Sequence, residues 1–424
     1  MGSRTEPMVK AQPADLDALR ADKERDDRVR NQQAEAAERA IPAVEQRRRQ
    51  LATRRPGIDR ALQQYDDLDR GEAPEIRIRV PFIQLATPRD DRIRNAKRIP
   101  PGRPQTRAPW DRSNDISTRP PMTKLLASSG SRALPTYLSA LYIAHLRAVP
   151  GEPFENDIPN TQRWGSHSWV ELAGMYLPNS GALTPGSRKR RQRKALTTAL
   201  DTLEQHRLIA LSGPAGRAGR YEHFRVLTES GAEDQYRVPG GTAPNKEAIR
   251  VPWTFFSRGW HLVLTPAETA TLLAIIDRTA LYRNLRRERG IMDMGVDLKE
   301  SVRWKTYGLS DEAYETVHNL HDFGLIRVLD PMPNRANPKP YTHISMVGRK
   351  IVLHSETDER VALRLIYPPE PSTPRETLFD KDAFDVVDTA LSKRTTALQA
   401  VADAAETPPD SQPQTTTSEG HSPA

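Results

Sequence analysis

The chain has 424 residues, of which 37% are hydrophobic, and its formal net charge is +8. It has no Cys, which excludes disulfide bonds, thiolate metal sites and a Cys nucleophile and is typical of a reducing cytosol. There is no run of about 18 apolar residues and no apolar segment behind the charges of the N-terminus, so we predict a cytoplasmic protein without a membrane span or signal peptide. The basic balance indicates an anionic partner, most often nucleic acid.

The first 128 residues are predicted to precede the folded modules. Residues 1–70 are rich in charged helix formers with few apolar positions, which predicts a helical or disordered arm. Residues 71–128 are rich in Pro and Arg and are predicted to form a linker, with one lone strand in the segment EIRIRVPFIQLA at 75–86.

Residues 129–232 are predicted to form the first folded module. The segment ALPTYLSALYIAHLRA at 133–148 has its Leu residues at helical spacing, and a second, short helix begins with Ser168 as its cap. After a turn, a third helix runs through SRKRRQRKALTTALDTLEQH at 187–206. The segment LIALSGPAGRAGRYEHFRVL at 208–227 follows as two strands joined by a Gly-rich tip. The inward-facing residues predicted for the first two helices are Leu134, Leu138, Leu141, Tyr142, Leu146, Trp169, Leu172, Ala173 and Tyr176.

The same order of elements recurs in residues 247–355, the second module. Its first helix opens with a capping box at 265–268, with Pro266 at the first helical position. A short helix and a third helix follow, and Ser310 is predicted to cap the third helix.

The second module is predicted to end in a hairpin. A strand at 325–329 is expected to pair, across a Pro- and Asn-rich tip, with the strand YTHISMV at 341–347. Residues 356–424 are predicted to form a C-terminal extension that includes one late helix and ends in a low-complexity, disordered tail.

The two modules align without gaps across their third helix and the strand behind it. At a constant offset, Leu200 matches Val317 and Leu203 matches Leu320. Matching core positions imply matching packing, so we predict a duplicated architecture. The excess charge is not duplicated: residues 160–228 hold 11 Lys and Arg against 4 Asp and Glu, a net charge of +7.

The order of helix, helix, turn, helix and two-stranded hairpin is also a known domain pattern. The residues concerned are 169–176, 188–206 and 212–221 in the first module and 298–306, 311–321 and 330–341 in the second. This order resembles the winged helix-turn-helix domain, and two such domains in one chain are similar to plasmid and phage replication initiators and to some bacterial transcription regulators. The resemblance implies an α+β fold with tandem winged helix domains. It also implies that the third helix enters the major groove of double-stranded DNA and that the wing tip contacts the backbone or the minor groove.

A helical wheel, at about 100° per residue, divides the third helix of the first module into two faces. Leu196, Ala199, Leu200 and Leu203 cluster on one face. The opposite face begins basic and continues with small polar groups, which suits phosphate contacts by Arg and Lys and base-edge contacts by short side chains. The Gly-rich tip gives the wing Arg residues the freedom to reach a groove. The DNA contacts predicted in this module are Arg188, Lys189, Arg190, Arg191, Arg193, Lys194, Thr197, Thr198, Arg217 and Arg220.

The second module has a less basic third helix. Asp311, Glu312 and Glu315 open it, and these acids would repel phosphate. This module either grips the DNA backbone or serves dimerisation or a protein partner. The residues predicted for a backbone contact are Lys299, Arg303, Lys305, Arg335 and Lys339.

The sequence contains no motif that indicates an enzyme or a cofactor. It lacks the Gly-x-x-x-x-Gly-Lys loop of ATPases, the His-x-His pair of metal-dependent nickases and the Gly-x-Ser-x-Gly of hydrolases. We predict a non-enzymatic double-stranded DNA-binding protein without cofactor or metal, monomeric or a homodimer. It is either a replication-initiator-like protein of a plasmid or mobile element that recruits replication machinery, or a transcription regulator such as a repressor. The third interpretation is a protein-interaction or scaffold module, in which the basic run is only a solvated helix face.

Overall fold

The fold is mixed α+β, with helices and small two-stranded antiparallel sheets. The chain divides into two compact units, one formed by residues 1–52 and 388–424 and the other by residues 53–387. The computed structural model describes residues 13–68, 75–86, 119–127, 132–161, 167–177, 184–240, 247–289, 295–299, 302–329, 343–347, 350–354, 363–369, 374 and 377–406.

The secondary structure of these residues is as follows. The helices are α1 (Pro13–Leu68), α2 (Val80–Ile83), α3 (Pro121–Lys124), α4 (Ala133–Arg147), α5 (Trp169–Leu172), α6 (Pro185–Gln205), α7 (Thr254–Ser257), α8 (Trp260–Val263), α9 (Pro266–Arg289), α10 (Asp311–Glu315), α11 (Val317–Asp322) and α12 (Ala383–Glu406). The strands are β1 (Glu75–Arg79), β2 (Ile209–Leu211), β3 (Phe224–Val226), β4 (Ala248–Pro252), β5 (Arg327–Leu329), β6 (His343–Val347), β7 (Lys350–His354) and β8 (Arg364–Ile366). A π-helical turn, Arg303–Tyr307, precedes α10.

The smaller unit contains the first part of α1 and the last part of α12. Within it, Arg48 donates two hydrogen bonds to Asp388, from Nε to Oδ1 at 3.0 Å and from Nη2 to Oδ2 at 3.2 Å. Ala37, Leu51 and Leu391 supply buried apolar side chains to this unit. The predicted arm is therefore helical over the residues that are described.

α4 is buried on nearly all sides. The five residues predicted to line its stripe are all buried, and so are Thr136 and Ser139. α4 packs against α6, and it also contacts β1 and α8. A single apolar stripe predicts packing on one face only, whereas a helix buried on all faces must pack against several elements. For α4 these elements lie in segments that are distant in sequence.

The strand at 75–79 does not stand alone. β1 pairs antiparallel with β4, and Ile78 lies opposite Ile249. The sequence Ile-Arg-Val-Pro occurs at 78–81, where β1 passes into α2, and at 249–252 in β4, so the two opposed Ile residues are equivalent positions of a repeat. A local two-fold axis through this pair would produce the same register. The prediction of a lone strand is wrong because its partner lies far along the chain, beyond the reach of a local pattern.

The helices that contact β1 and β4 are also arranged in corresponding pairs. β1 packs against α4 and β4 against α9, while α4 contacts α8 and α9 contacts α2. Ile76, Phe82 and Ile83 are fully buried. The described part of the segment that was expected to be a linker therefore contributes to the core between the two modules.

The first and third helices of the second module begin as predicted, whereas the described part of the predicted short helix between them is the π-helical turn at Arg303–Tyr307. Thr265 N–H donates to Glu268 Oε2 at 2.9 Å, and Glu268 N–H donates to Thr265 Oγ1 at 3.2 Å, which confirms the capping box. Ser310 Oγ accepts a hydrogen bond from Ala313 N–H at 3.2 Å, which confirms the second cap. The predicted third helix is two short helices, α10 and α11, which meet at Thr316.

The hairpin predicted at the end of the second module is wrong. β5 pairs with β8, with Val328 opposite Leu365, and Leu365 also forms a bridge to Val296. β6, the expected partner of β5, pairs with β7 instead. Only Gly348 and Arg349 separate β6 from β7, and a two-residue connection closes a local hairpin at a lower entropic cost than a longer loop back to β5.

Two His residues, the half-buried His145 and the buried His261, support the core in their neutral form. His145 donates from Nδ1 to a carbonyl of its own helix at 2.8 Å, and its Nε2 accepts from Arg77 N–H, on β1, at 3.1 Å. His261 Nε2 lies 3.1 Å from the hydroxyls of both Tyr65 and Ser139. Burial lowers the pKa of His145 to about 4 and the pKa of His261 to about 3.

Candidate nucleic-acid interface

α6 begins three residues before the basic run. Thr184 caps the helix, because its Oγ1 accepts a hydrogen bond from Ser187 N–H at 3.2 Å, and Pro185 occupies the first helical position. The first turn contains no acidic residue. The helix continues through the whole basic run and the apolar pattern behind it, to Gln205.

The inner face of α6 is the predicted one. Leu196, Ala199, Leu200 and Leu203 are each at most 1% exposed. α6 packs against α4, α5 and β2. Because these contacts hold the apolar face inward, the opposite face of the helix is turned to solvent.

Five of the six basic residues in the run are exposed. Arg188 differs, because it is half-buried on the same side as Gln192, whose Nε2 donates to Leu177 O at 3.5 Å. The side chains of the other five form no ion pair or hydrogen bond with any residue that the structure describes. These residues are Lys189, Arg190, Arg191, Arg193 and Lys194.

This arrangement is electrostatically unfavourable for the helix by itself. Like charges three or four residues apart on a helix repel one another, at a cost of roughly 0.2–0.5 kcal/mol per pair. Arg190 and Lys194 form such a pair, and so do Lys189 and Arg193. An anion placed against these cations would relieve the repulsion.

Thr197 and Thr198 follow the basic run. Both hydroxyls donate to the carbonyl of Lys194, at 3.1 Å and 2.9 Å respectively. Because the hydroxyl protons are used within the helix, the oxygens are left to act as acceptors. Thr198 is exposed and Thr197 is half-buried, so Thr198 is better placed to accept from an amino group on a base edge.

The loop between β2 and β3 presents Arg217 to solvent. This residue is exposed, and its guanidinium has no partner among the residues that the structure describes. Gly216 and Gly219 have φ angles of +82° and +80°, a conformation that favours Gly. A Cβ atom on Gly213 would lie 3.2 Å from Arg217 Cδ, so the stem of Arg217 packs over Gly213.

Arg220 is engaged within the protein. Its guanidinium hydrogen-bonds to Glu204, donates to Gly213 O at 2.5 Å and lies 3.7 Å from the carboxylate of Asp201. The neighbouring Tyr221 hydroxyl lies 2.8 Å and 3.0 Å from the two carboxylate oxygens of Asp201, and this hydrogen bond raises the pKa of Tyr221. The structure therefore places Arg220 against the acids of α6, whereas Arg217 remains free at the tip.

The predicted contacts of the second module are not brought together in the same way. Arg303 hydrogen-bonds to Asp311, its guanidinium carbon lies 4.4 Å from the ring centroid of Tyr314, and its side chain is only 11% exposed. Lys299 is exposed and Lys305 is half-buried. Outside the described residues lie the other two predicted contacts, Arg335 and Lys339.

Sequence reasoning missed the side chains that hold the loop against α6. Asp201 and Glu204 lie one helical turn apart, and their partners Arg220 and Tyr221 are adjacent in sequence. Two acids at this spacing, followed by an adjacent Arg and Tyr in the loop, are the signal that could have found them. Asn160 donates a hydrogen bond from Nδ2 to the carbonyl of Tyr221. It lies before α5, and no pattern in the sequence indicates this contact.

Comparisons of this chain with protein-family models, curated proteins and solved structures gave no significant match. None of the described helices has the length and apolar character needed to cross a membrane. Within the described ranges, no three His, Asp or Glu side chains are grouped so that they could hold a metal ion. The basic face of α6 is therefore the feature that indicates a function.

Proposed function

We propose that the protein binds double-stranded DNA through residues 129–232, which act as a winged helix module. α6 lies in the major groove, and the loop at 212–223 acts as the wing. The protein has no catalytic activity of its own in this proposal. The observation that supports it is the run of five exposed and unpaired cations in the N-terminal half of α6, of which Arg190, Arg191 and Lys194 lie on the outer face.

If the outer face of α6 were only solvated, we would expect its cations to be paired with acids as cations elsewhere in the chain are. Elsewhere in the described chain, many Arg residues are paired with acids. Examples are Arg48, Arg60, Arg79, Arg147, Arg278 and Arg364. The cations of α6 lack such partners although they repel one another, and bound phosphate would supply the missing negative charge.

The dimensions of α6 also suit this role. The five cations lie between the fifth and tenth residues of the helix, a rise of about 8 Å at 1.5 Å per residue. Thr198 lies about one turn further on. The major groove is roughly 12 Å wide and admits an α-helix, so cations near the N-terminus can meet the backbone while Thr198 faces the bases.

The repeat around β1 and β4 supports two modules in one chain. We propose that the second module contributes less to DNA binding, since Arg303 is committed to Asp311. Two unlike modules with a long arm favour a replication-initiator-like protein of a plasmid or mobile element. A transcription repressor is the second candidate, because the basic face of α6 would serve either role.

The test is salt-dependent binding of the full chain to a random-sequence 30-bp duplex, followed by fluorescence anisotropy. Replacing Arg190, Arg191 and Lys194 by Ala is expected to flatten the plot of log K against log salt by about 2–3 units, since each phosphate contact contributes about 0.9. The matched control replaces Arg28, Arg30 and Lys393, three exposed cations elsewhere, and should leave the slope unchanged. Equal effects of the two triple variants would contradict the proposal and favour a protein-interaction module.

A further inference from the structure

We propose that Tyr221 and Glu204 are positioning residues that fix the wing to α6, so that Arg217 and the basic face of α6 meet DNA as one rigid surface. With Asp201 and Arg220 they form what we call the wing clamp. This inference rests on the proposed function and states how the wing takes part in it. Neither positioning residue contacts the DNA.

Glu204 ties both limbs of the wing to the helix. Its Oε1 accepts from Leu211 N–H at 3.2 Å, where the chain enters the wing. Its Oε2 accepts from the guanidinium of Arg220, where the chain leaves the wing. A single carboxylate on the last turn of α6 therefore sets the position of the loop at both of its ends.

Tyr221 is held from two sides. Its hydroxyl donates to the carboxylate of Asp201, one turn before Glu204 on α6. Its backbone carbonyl accepts from Nδ2 of Asn160, in the segment before α5. The residue that ends the wing is thus attached to two different parts of the module.

Hydrogen bonds across the base of the wing complete this arrangement. Ser212 Oγ donates to His223 O at 2.7 Å, and Arg220 Nη1 donates to Gly213 O at 2.5 Å. These bonds join the two limbs and leave only residues 214–219 as a tip. Arg217 lies within that tip, between two Gly residues.

The wing clamp has two physical consequences for binding. A Gly-rich loop that is ordered only on binding loses roughly 1–2 kcal/mol of backbone entropy per residue, and a loop ordered beforehand avoids much of that loss. In addition, Arg220 and Tyr221 occupy the carboxylates of Asp201 and Glu204, which would otherwise repel phosphate on the DNA-facing side of α6.

The experiment is a double-mutant cycle on salt-dependent binding of the full chain to the 30-bp duplex. Arg217→Ala alone is expected to lower the magnitude of the salt slope by about 1 and to weaken binding about eightfold at 0.1 M salt, the effect of one lost phosphate contact. Tyr221→Phe removes no charge but should give a similar change, because Arg217 is no longer held in place. Combining the two should give no further change in slope.

The matched control is Tyr176→Phe, since Tyr176 is a half-buried Tyr of the same module whose hydroxyl has no partner among the described residues. It should leave the slope unchanged. Melting curves are recorded for every variant. If Tyr221→Phe is unfolded at the assay temperature, Glu204→Gln takes its place in the double-mutant cycle with Arg217→Ala. Additive effects, or an unchanged slope in both clamp variants, would overturn the clamp while DNA binding by the wild type stands. Absence of wild-type binding would overturn the proposed function and the clamp together.

Discussion

α6 and the pair α10–α11, which the sequence aligns with each other, are alike only on their inner faces. Leu200 and Leu203 on α6 and Val317 and Leu320 on α11 are all fully buried. The outer face of α6 carries unpaired cations, whereas α10 begins with acids. A shared core requires matching apolar positions only, so the outer face of each helix can acquire a separate role.

The two helices also differ in how their charges are satisfied. The acids in the first turn of α10 suit the helix dipole, and Asp311 is paired with Arg303. The unpaired cations of α6 begin beyond its first turn, repel one another and have no acidic partner among the described residues. Asp311 of α10 is therefore compensated within the chain, whereas the exposed cations of α6 are not compensated by any described residue.

The largest expected effects test the shared core. Leu200→Ala should lower the free energy of unfolding by about 3 kcal/mol, and the equivalent Val317→Ala by about 2 kcal/mol, because both side chains are fully buried. Urea unfolding followed by circular dichroism measures both values. Val401→Ala, at a 42% exposed position, should change stability by less than about 0.5 kcal/mol. If Val317→Ala is as mild as Val401→Ala, the equivalence of the two helices is wrong.

Reversing the charge of α10 tests the difference between the outer faces. Glu312→Lys combined with Glu315→Lys, at two exposed positions, should make α10 resemble α6. If the second module faces the duplex, binding at 0.1 M salt should strengthen about a hundredfold and the salt slope should steepen by about 2 units. The corresponding Gln variants remove the acids without adding cations and should give a smaller gain. Unchanged binding in the Lys variant would show that this module faces away from the DNA.

The first helices of the two modules should respond to acid in opposite directions. His145 on α4 has its pKa lowered to about 4, so the unfolded chain, with a pKa near 6.5, binds the proton first and stability falls as pH falls through this range. Asp277 on α9 accepts from Tyr307 Oη at 2.8 Å, and burial raises its pKa to about 6. The folded chain therefore binds that proton first, which adds stability as pH falls below about 6.

Urea unfolding between pH 7 and pH 5 checks this pair of effects. His145→Gln should reduce the loss of stability over this range by about 2 kcal/mol, and Asp277→Asn should increase the loss by about 1 kcal/mol. The pH dependence is compared within each variant, so a constant change in stability caused by the substitution cancels. Identical pH dependence in wild type and both variants would contradict the assignment.

The smallest expected effect separates a paired Arg from an unpaired one. Arg191→Ala should weaken DNA binding about tenfold at 0.1 M salt with stability nearly unchanged. Arg303→Ala should leave the salt slope unchanged and lower the free energy of unfolding by about 1 kcal/mol, because its side chain is mostly buried against Asp311 and Tyr314. A flatter salt slope for Arg303→Ala, together with unchanged DNA binding for Arg191→Ala, would assign the DNA contact to the second module.

Local patterns in the sequence predicted much of the fold. The apolar spacing of α6, the capping box of α9 and the Ser310 cap depend on residues within one or two turns of each other, and all three are present. Pairings between distant strands were not accessible in the same way. β1 pairs with β4 and β5 pairs with β8 across long segments of the chain. No local pattern in the sequence distinguishes these partner strands from nearer ones.

The candidate interface was predictable to the same extent. The helical wheel predicts Arg190, Arg191, Lys194, Thr197 and Thr198 on the outer face, and all of these are exposed except the half-buried Thr197. The sequence did not predict that Arg217 is unpaired and Arg220 is paired, since both lie in the same Gly-rich loop. What separates them is a contact to Glu204, which depends on how the loop folds back over α6.

The most direct measurement of the central claim is the salt slope of the wild-type chain on the 30-bp duplex. Five cations on α6 and Arg217 at the wing tip predict a plot of log K against log salt with a slope of about −5. A slope near zero, or no detectable binding at low salt, would contradict the assignment of α6 as a DNA-binding helix.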